Sequence, residues 1–183
     1  MVHVIDTGRI LLGLVFLCSL AGKLRGAAAF LEFRAAVSQL APALRRIRKP
    51  VAVLVVAAEA LAVVTLALPE TVAAGFTVSA ALLAAFTAGL LGVLRRGATT
   101  PCGCFGRSAP VAPRHVVRNI VLGFVALAGL GVQLATPGTP PTGGSSAGLL
   151  LTAGTAALLA LVTVTLDDWA DLFAPRPAAR EAR

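Results

Sequence analysis

Val72–Leu94 runs for 23 residues without a charged side chain, and Ala147–Leu166 runs for another 20. A helix needs about 20 apolar residues to cross ~30 Å of hydrocarbon. Two further stretches approach that length. Val51–Leu68 is 18 residues with one acid, Glu59, and Ile120–Leu134 is 15 residues, lengthened upstream by Val116–Asn119, which carries Arg118. Ile10–Gly22 is 13 residues and is extended upstream by Val2–Arg9. Lipid offers the backbone no hydrogen-bond partners, so such segments must be helical or form a closed barrel, and runs this long are helices. The chain is therefore expected to be all-α, a polytopic membrane helix bundle of four to five spans at about 4–22, 51–68, 72–94, 116–135 and 147–166. A single integral membrane domain over residues 1–170 is expected, followed by a short flexible C-terminal tail, 171–183.

Charge agrees with that class. Charged residues make up 13% of the chain, against ~25% in soluble domains. The net charge of +8 is not a nucleic-acid footprint, because the positives sit in the connections between apolar runs. Seven of the 16 Lys and Arg lie in Lys23–Lys49, five between Arg95 and Arg118, three in the tail, and one is Arg9. The turns 69–71 and 135–146 hold none. By the positive-inside rule this alternation places the N-terminus outside, with the C-terminus and the 95–118 connection in the cytoplasm, for a bacterial cytoplasmic membrane. A cleaved signal peptide ending near Ala27-Ala28-Ala29 would put seven positives outside and is disfavoured.

Within Lys23–Lys49 the residues Phe30, Phe33, Val37, Leu40, Leu44 and Ile47 recur at spacings of three and four. That period predicts an amphipathic helix near 27–47 lying in the headgroup plane, broken or kinked at Pro42. Pro50 opens the next span, and Pro69-Glu70 makes a tight turn, so the second and third spans form an antiparallel hairpin. Small residues crowd the third span, from Gly75 to Gly92, and allow close helix packing.

Chemistry is concentrated in few residues. Two of the three cysteines, Cys102 and Cys104, are separated only by Gly103 in a basic loop. Thiol–disulfide exchange needs access, thiolate character and a neighbouring thiol. Gly103 lets the chain turn tightly, and the small ring of a Cys102–Cys104 disulfide would be strained and readily reduced. Arg107, Arg114 and Arg118 could favour thiolates, and His115 could move a proton near neutral pH. Cys18, near the inner end of the first span, is either a relay thiol or a packing residue. Glu59, deep in the second span, is a candidate proton group or a structural hydrogen-bond acceptor, since an acid in hydrocarbon is costly. Lys23, Arg118 and Asn119 sit at span edges, where snorkelling explains the charges. Cys102, Cys104 and His115 could also hold Cu(I) or Zn, but Cys-x-Cys…His fits no zinc spacing, so no metal site is assigned.

Several of these residues, taken in order, resemble one family. Arg9-Ile10-Leu11-Leu12-Gly13-Leu14-Val15-Phe16 opens the first helix and Lys23-Leu24-Arg25 closes it. Glu59 follows in the second, Arg95-Arg96-Gly97 precedes Cys102-Gly103-Cys104-Phe105-Gly106, and Arg118-Asn119 opens the fourth. Over about residues 5–135 this pattern resembles the methylamine-utilisation MauE family, grouped with DoxX-like redox-associated membrane proteins. The resemblance implies a role in maturation, processing or transport of the methylamine dehydrogenase β-subunit, a disulfide-rich periplasmic protein, alongside a thioredoxin-like partner. The leading expectation is a membrane thiol–disulfide carrier with Cys102 and Cys104 as the redox pair. Passing electrons across the bilayer to an external thioredoxin-like protein would reconcile a cytoplasmic loop with an external partner, as would a reversed topology. Quinone exchange, as in the broader DoxX-like group, is left open, because no residue motif marks a cofactor. A non-catalytic assembly or transport factor is the alternative, with a Cys/His metal-binding membrane protein as a third reading.

Overall fold

In a low-dielectric solvent each span must close its own backbone hydrogen bonds, and every element found is helical. The computed structural model describes residues 2–97, 111–135 and 146–173, with side chains described for 5–97, 111–135 and 150–165. The helices are α1 (Val2–Leu24), α2 (Ala27–Leu40), α3 (Arg48–Ala67), α4 (Val72–Arg95), α5 (Pro113–Ala135) and α6 (Ser146–Phe173). Short 3₁₀ turns over Pro42–Ile47 and Pro69–Thr71 join α2 to α3 and α3 to α4. Four segments, ending in α1, α3, α4 and α5, are long and apolar enough to span a membrane, and α6 holds a shorter apolar stretch, Leu150–Thr165. The expected helical membrane bundle is thus observed.

Pro42 acts as its chemistry requires. It sits at the start of the 3₁₀ turn, so the amphipathic segment is a 14-residue helix, α2, followed by a separate turn. One face of α2, Phe33, Ala36 and Val37, is buried, and Phe33 and Val37 pack on Ala52 of α3. Arg45, Arg46, Arg48 and Lys49 stay exposed. α4 ends on Gly97, whose φ of 61° is the left-handed conformation that closes a helix without Cβ strain. The Gly97 N–H donates to the Leu94 carbonyl at 3.1 Å.

The main core joins Leu12, Val15 and Phe16 of α1, Ala62 and Leu66 of α3, Phe76 and Leu83 of α4, and Leu122 and Ala126 of α5. α6 adds Ala156 and Ala160 and packs on α1. Large apolar side chains also face outward, including Leu54, Leu61, Phe124 and Leu150, as lipid-facing surfaces do. Close approach depends on glycine at two crossings. A Cβ on Gly75 would lie 2.8 Å from the Leu66 backbone nitrogen, and one on Gly129 would run into the Phe76 ring.

α1 ends, α2 lies, α3 begins, α4 ends and α5 begins on one side of the bundle. Arg96 beyond α4 donates to the Gln39 carbonyl of α2 at 3.0 Å, which ties that side together. The 97–111 connection carrying the cysteines starts and finishes there. Cys102 and Cys104 themselves lie outside the described residues, as does the tail beyond 173.

Candidate functional site

Leu12, Val15, Phe16, Ser19 and Lys23 form the inward stripe of α1, each three or four residues from the next. The stripe therefore carries Lys23 into the bundle rather than out to the headgroups. Lys23 is 1% exposed and Glu59 is 0% exposed. The Lys23 Nζ donates to Glu59 Oε1 at 2.6 Å, to Oε2 at 2.9 Å and to Ser19 Oγ at 2.6 Å. The Ser19 hydroxyl in turn donates to Glu59 Oε1 at 3.1 Å. All three ammonium protons are used, and both carboxylate oxygens accept, as a buried ion pair requires. Aromatic faces complete the enclosure: Nζ is 4.8 Å from the Phe33 ring centre of α2 and 5.7 Å from that of Phe86 in α4. One lysine thus joins α1, α2, α3 and α4.

Beside the pair lies a chamber of about 20 Å³, enough for one water. Its polar walls are Ser19, Glu59, Arg118 and Asn119, and Phe16, Leu83, Phe86 and Leu122 help to close it. Arg118 and Asn119 are each 6% exposed. The chamber wall therefore carries one basic side chain, Arg118, and one acid, Glu59, whose carboxylate is held by Lys23, at the end of the bundle where α4 ends and α5 begins.

Local sequence explains how α5 brings Arg118 and Asn119 there. Pro113 occupies the first helical position, where its missing N–H costs nothing. His115, two residues on, accepts from the Ala112 N–H at Nδ1, at 2.9 Å. This is the back-reaching half of a capping box with imidazole in the usual Glu or Gln place. The same Nδ1 lies 3.1 Å from the Ala112 carbonyl, so whether it accepts or donates there follows the tautomer of the ring. His115 is buried as well, at 1% exposed.

The structure brings Glu59 and Arg118 to one chamber and places His115 at the head of the same helix as Arg118. It corrects three expectations. Lys23, Arg118 and Asn119 do not snorkel; all three are buried, because Glu59 and the chamber supply the polar surroundings that water would otherwise provide. Cys18 is not a packing residue: it is exposed on the outer side of α1, next to inward-facing Ser19. α5 begins at Pro113 rather than near 116. Ser19 is the member that sequence reasoning missed, and Lys23 was read as an edge charge rather than as the partner of Glu59, although their four-residue spacing on the Leu12–Phe16 stripe was the available signal. Among the described residues no three His, Cys, Asp or Glu side chains come together as a metal site.

Apolar spans wrapped round a closed Lys–Glu–Ser centre define a multi-pass helical membrane protein with an occluded polar core. The chain belongs to the MauE family: the family model described as methylamine utilisation protein MauE matches residues 1–132, from α1 to the last turn of α5. A relative from Paracoccus denitrificans, methylamine utilization protein MauE, is 37% identical over 166 residues, covering 86% of this chain and 83% of that protein. No solved structure matches the chain.

Proposed function

We propose that this protein is a membrane thiol–disulfide carrier that supports maturation of a secreted partner, such as the methylamine dehydrogenase β-subunit, through a thioredoxin-like protein. Family membership points to methylamine utilisation. The observation that carries the thiol reading is positional. The Cys102-Gly103-Cys104 loop joins α4 to α5 at the end of the bundle where Ser19, Glu59, Arg118 and Asn119 line a water-sized chamber. Buried arginine favours nearby anions such as thiolate, and Glu59 is a group that could take up a released proton.

In the forward step, a thiolate from the Cys102–Cys104 pair attacks a partner disulfide, and the partner leaves one sulfur as thiolate. The second cysteine then displaces the partner from the mixed disulfide. Two electrons reach the partner, which becomes a dithiol, and the pair becomes a disulfide that a second, thiol-bearing reductant returns to its starting state. His115 and Arg118 would tune the thiols, and Cys18, exposed at the same end of α1, would be a relay. The alternative, a non-catalytic assembly or transport factor, is favoured by the self-contained Lys23–Glu59–Ser19 lock, which needs no chemistry to explain it.

Replacement of both cysteines, Cys102→Ser/Cys104→Ser, separates the two. The thiol carrier loses partner maturation in that variant, and single Cys104→Ser or Cys102→Ser chains accumulate a mixed disulfide that reductant releases. Full maturation with both sulfurs gone would leave only the assembly factor.

A further inference from the structure

The 3₁₀ turn Pro42–Ile47, between α2 and α3, buries none of its residues against the bundle. At six residues it is long for a 3₁₀ segment, whose hydrogen bonds are poorer than those of an α-helix. With about three residues per turn, side chains at i and i+3 eclipse one another. Leu44 and Ile47 therefore share one edge of the turn, while Arg45 and Arg46 take the other two. An α-helical pitch would instead set Arg48 beside Leu44 at i+4 and mix apolar with basic. Leu44 is 38% exposed and Ile47 is 50% exposed. Arg48 and Lys49 open α3 directly beyond, and all four cations are exposed. The sequence holds no acid between Glu32 and Glu59, and among the described residues no ion pair involves any of the four. The turn also lies at a membrane boundary, because the apolar segment long enough to span begins at Pro42.

We propose that this turn is a binding site for anionic phospholipid, with Leu44 and Ile47 entering the acyl boundary while Arg45, Arg46, Arg48 and Lys49 hold headgroup phosphates. Each part of the turn selects against another occupant. A zwitterionic lipid covers the apolar edge, but its own cation is repelled by four basic side chains that no acid neutralises. A soluble acidic protein or a nucleic acid matches the charge and leaves the Leu44–Ile47 edge in water. An anionic lipid satisfies both, since basic residues beside a span gain from each phosphate-rich contact and inserted apolar side chains add to it.

Lipid bound there also acts on the bundle. Phe33 of α2 lies over the Lys23 ammonium, and Phe33 and Val37 pack on Ala52 of α3. The turn is the covalent link between α2 and α3, so a lipid that anchors it holds this cover over the Lys23–Glu59 pair. Nothing in the site depends on the thiol reading.

The test is native mass spectrometry of the full-length protein in detergent, offered phosphatidylglycerol and phosphatidylcholine of matched chain length. Orientation has no bearing in detergent, so altered insertion cannot mimic the result. Phosphatidylglycerol is expected to be retained about tenfold over phosphatidylcholine, a gain that few basic contacts can supply. Arg45→Gln/Arg46→Gln/Arg48→Gln/Lys49→Gln should lose that preference, and Leu44→Ser/Ile47→Ser should weaken retention of both lipids. Arg176→Gln/Arg180→Gln/Arg183→Gln removes tail cations instead and should keep the preference. The wild-type chain supplies a second readout that needs no variant to fold. A phosphatidylglycerol with a photoreactive headgroup should crosslink within residues 42–49, and added salt should weaken the labelling. Equal retention of the two lipids, a preference that survives the quadruple variant or falls equally in the tail variant, or crosslinks that map elsewhere would overturn the proposal.

Discussion

Lys23 and Glu59 illustrate how one ion pair can be both a structural and a chemical device. In hydrocarbon an unpaired charge is costly, and breaking a buried pair by removing one partner typically costs about 3–5 kcal/mol. Replacing both partners by apolar groups of similar volume is often neutral. Lys23→Met alone and Glu59→Leu alone should each lower the melting temperature in detergent markedly, whereas Lys23→Met/Glu59→Leu should recover most of the loss. Ser19, left without either partner, can turn its hydroxyl to its own helix backbone. The double variant also separates the roles. If Glu59 moves protons for the thiols, the recovered protein is abundant and inserted yet turns thiols over about a hundredfold more slowly, a typical worth for a placed acid–base group. Wild-type turnover in a stable double variant would make the triad a lock and nothing more.

Helix crossings are where glycine matters most. At the α3–α4 hairpin a Cβ on Gly75 would meet Leu66 side chain and backbone at 2.8 Å, and the backbone cannot move aside. At the α4–α5 crossing the obstruction to a Cβ on Gly129 is the Phe76 ring. Both Gly75→Ala and Gly129→Ala should destabilise, by about 1–3 kcal/mol for overpacking. Only the second should be rescued by a smaller partner, so Gly129→Ala/Phe76→Leu is expected to melt above Gly129→Ala. Rescue of Gly75→Ala by Leu66→Ala would contradict the backbone clash. The helices themselves were legible from run length, and the break at Pro42 and hairpin turn at Pro69 from proline chemistry alone. Partners were not legible. Lys23 and Glu59 are 36 residues apart, and no local window shows that the cation at one helix end meets the acid inside another. The same reason hid the start of α5: Arg114 and His115 read as loop polarity, although the first turn of the helix takes both in and the bundle buries His115.

At the scale of the whole molecule, charge distribution and helix order together make a claim about sidedness. The basic connections leave from the end of the bundle that holds α2, the start of α3 and the cysteine loop, and Arg45, Arg46, Arg48 and Lys49 are exposed there. The positive-inside rule then predicts that this end is cytoplasmic. In a Cys18→Ser background, a membrane-impermeant maleimide should leave Cys102 and Cys104 unlabelled in intact cells and label them in inverted vesicles after reduction. Under the proposed function such an outcome would require electrons to cross the bilayer, since a secreted partner would lie on the other face. Labelling in intact cells would reverse the orientation. It would then place the thiols on the partner's own side, where direct exchange with a thioredoxin-like protein needs no transmembrane step. The Lys23–Glu59 centre would keep its geometry in either orientation, but the protons and electrons of the proposed exchange would come from opposite compartments.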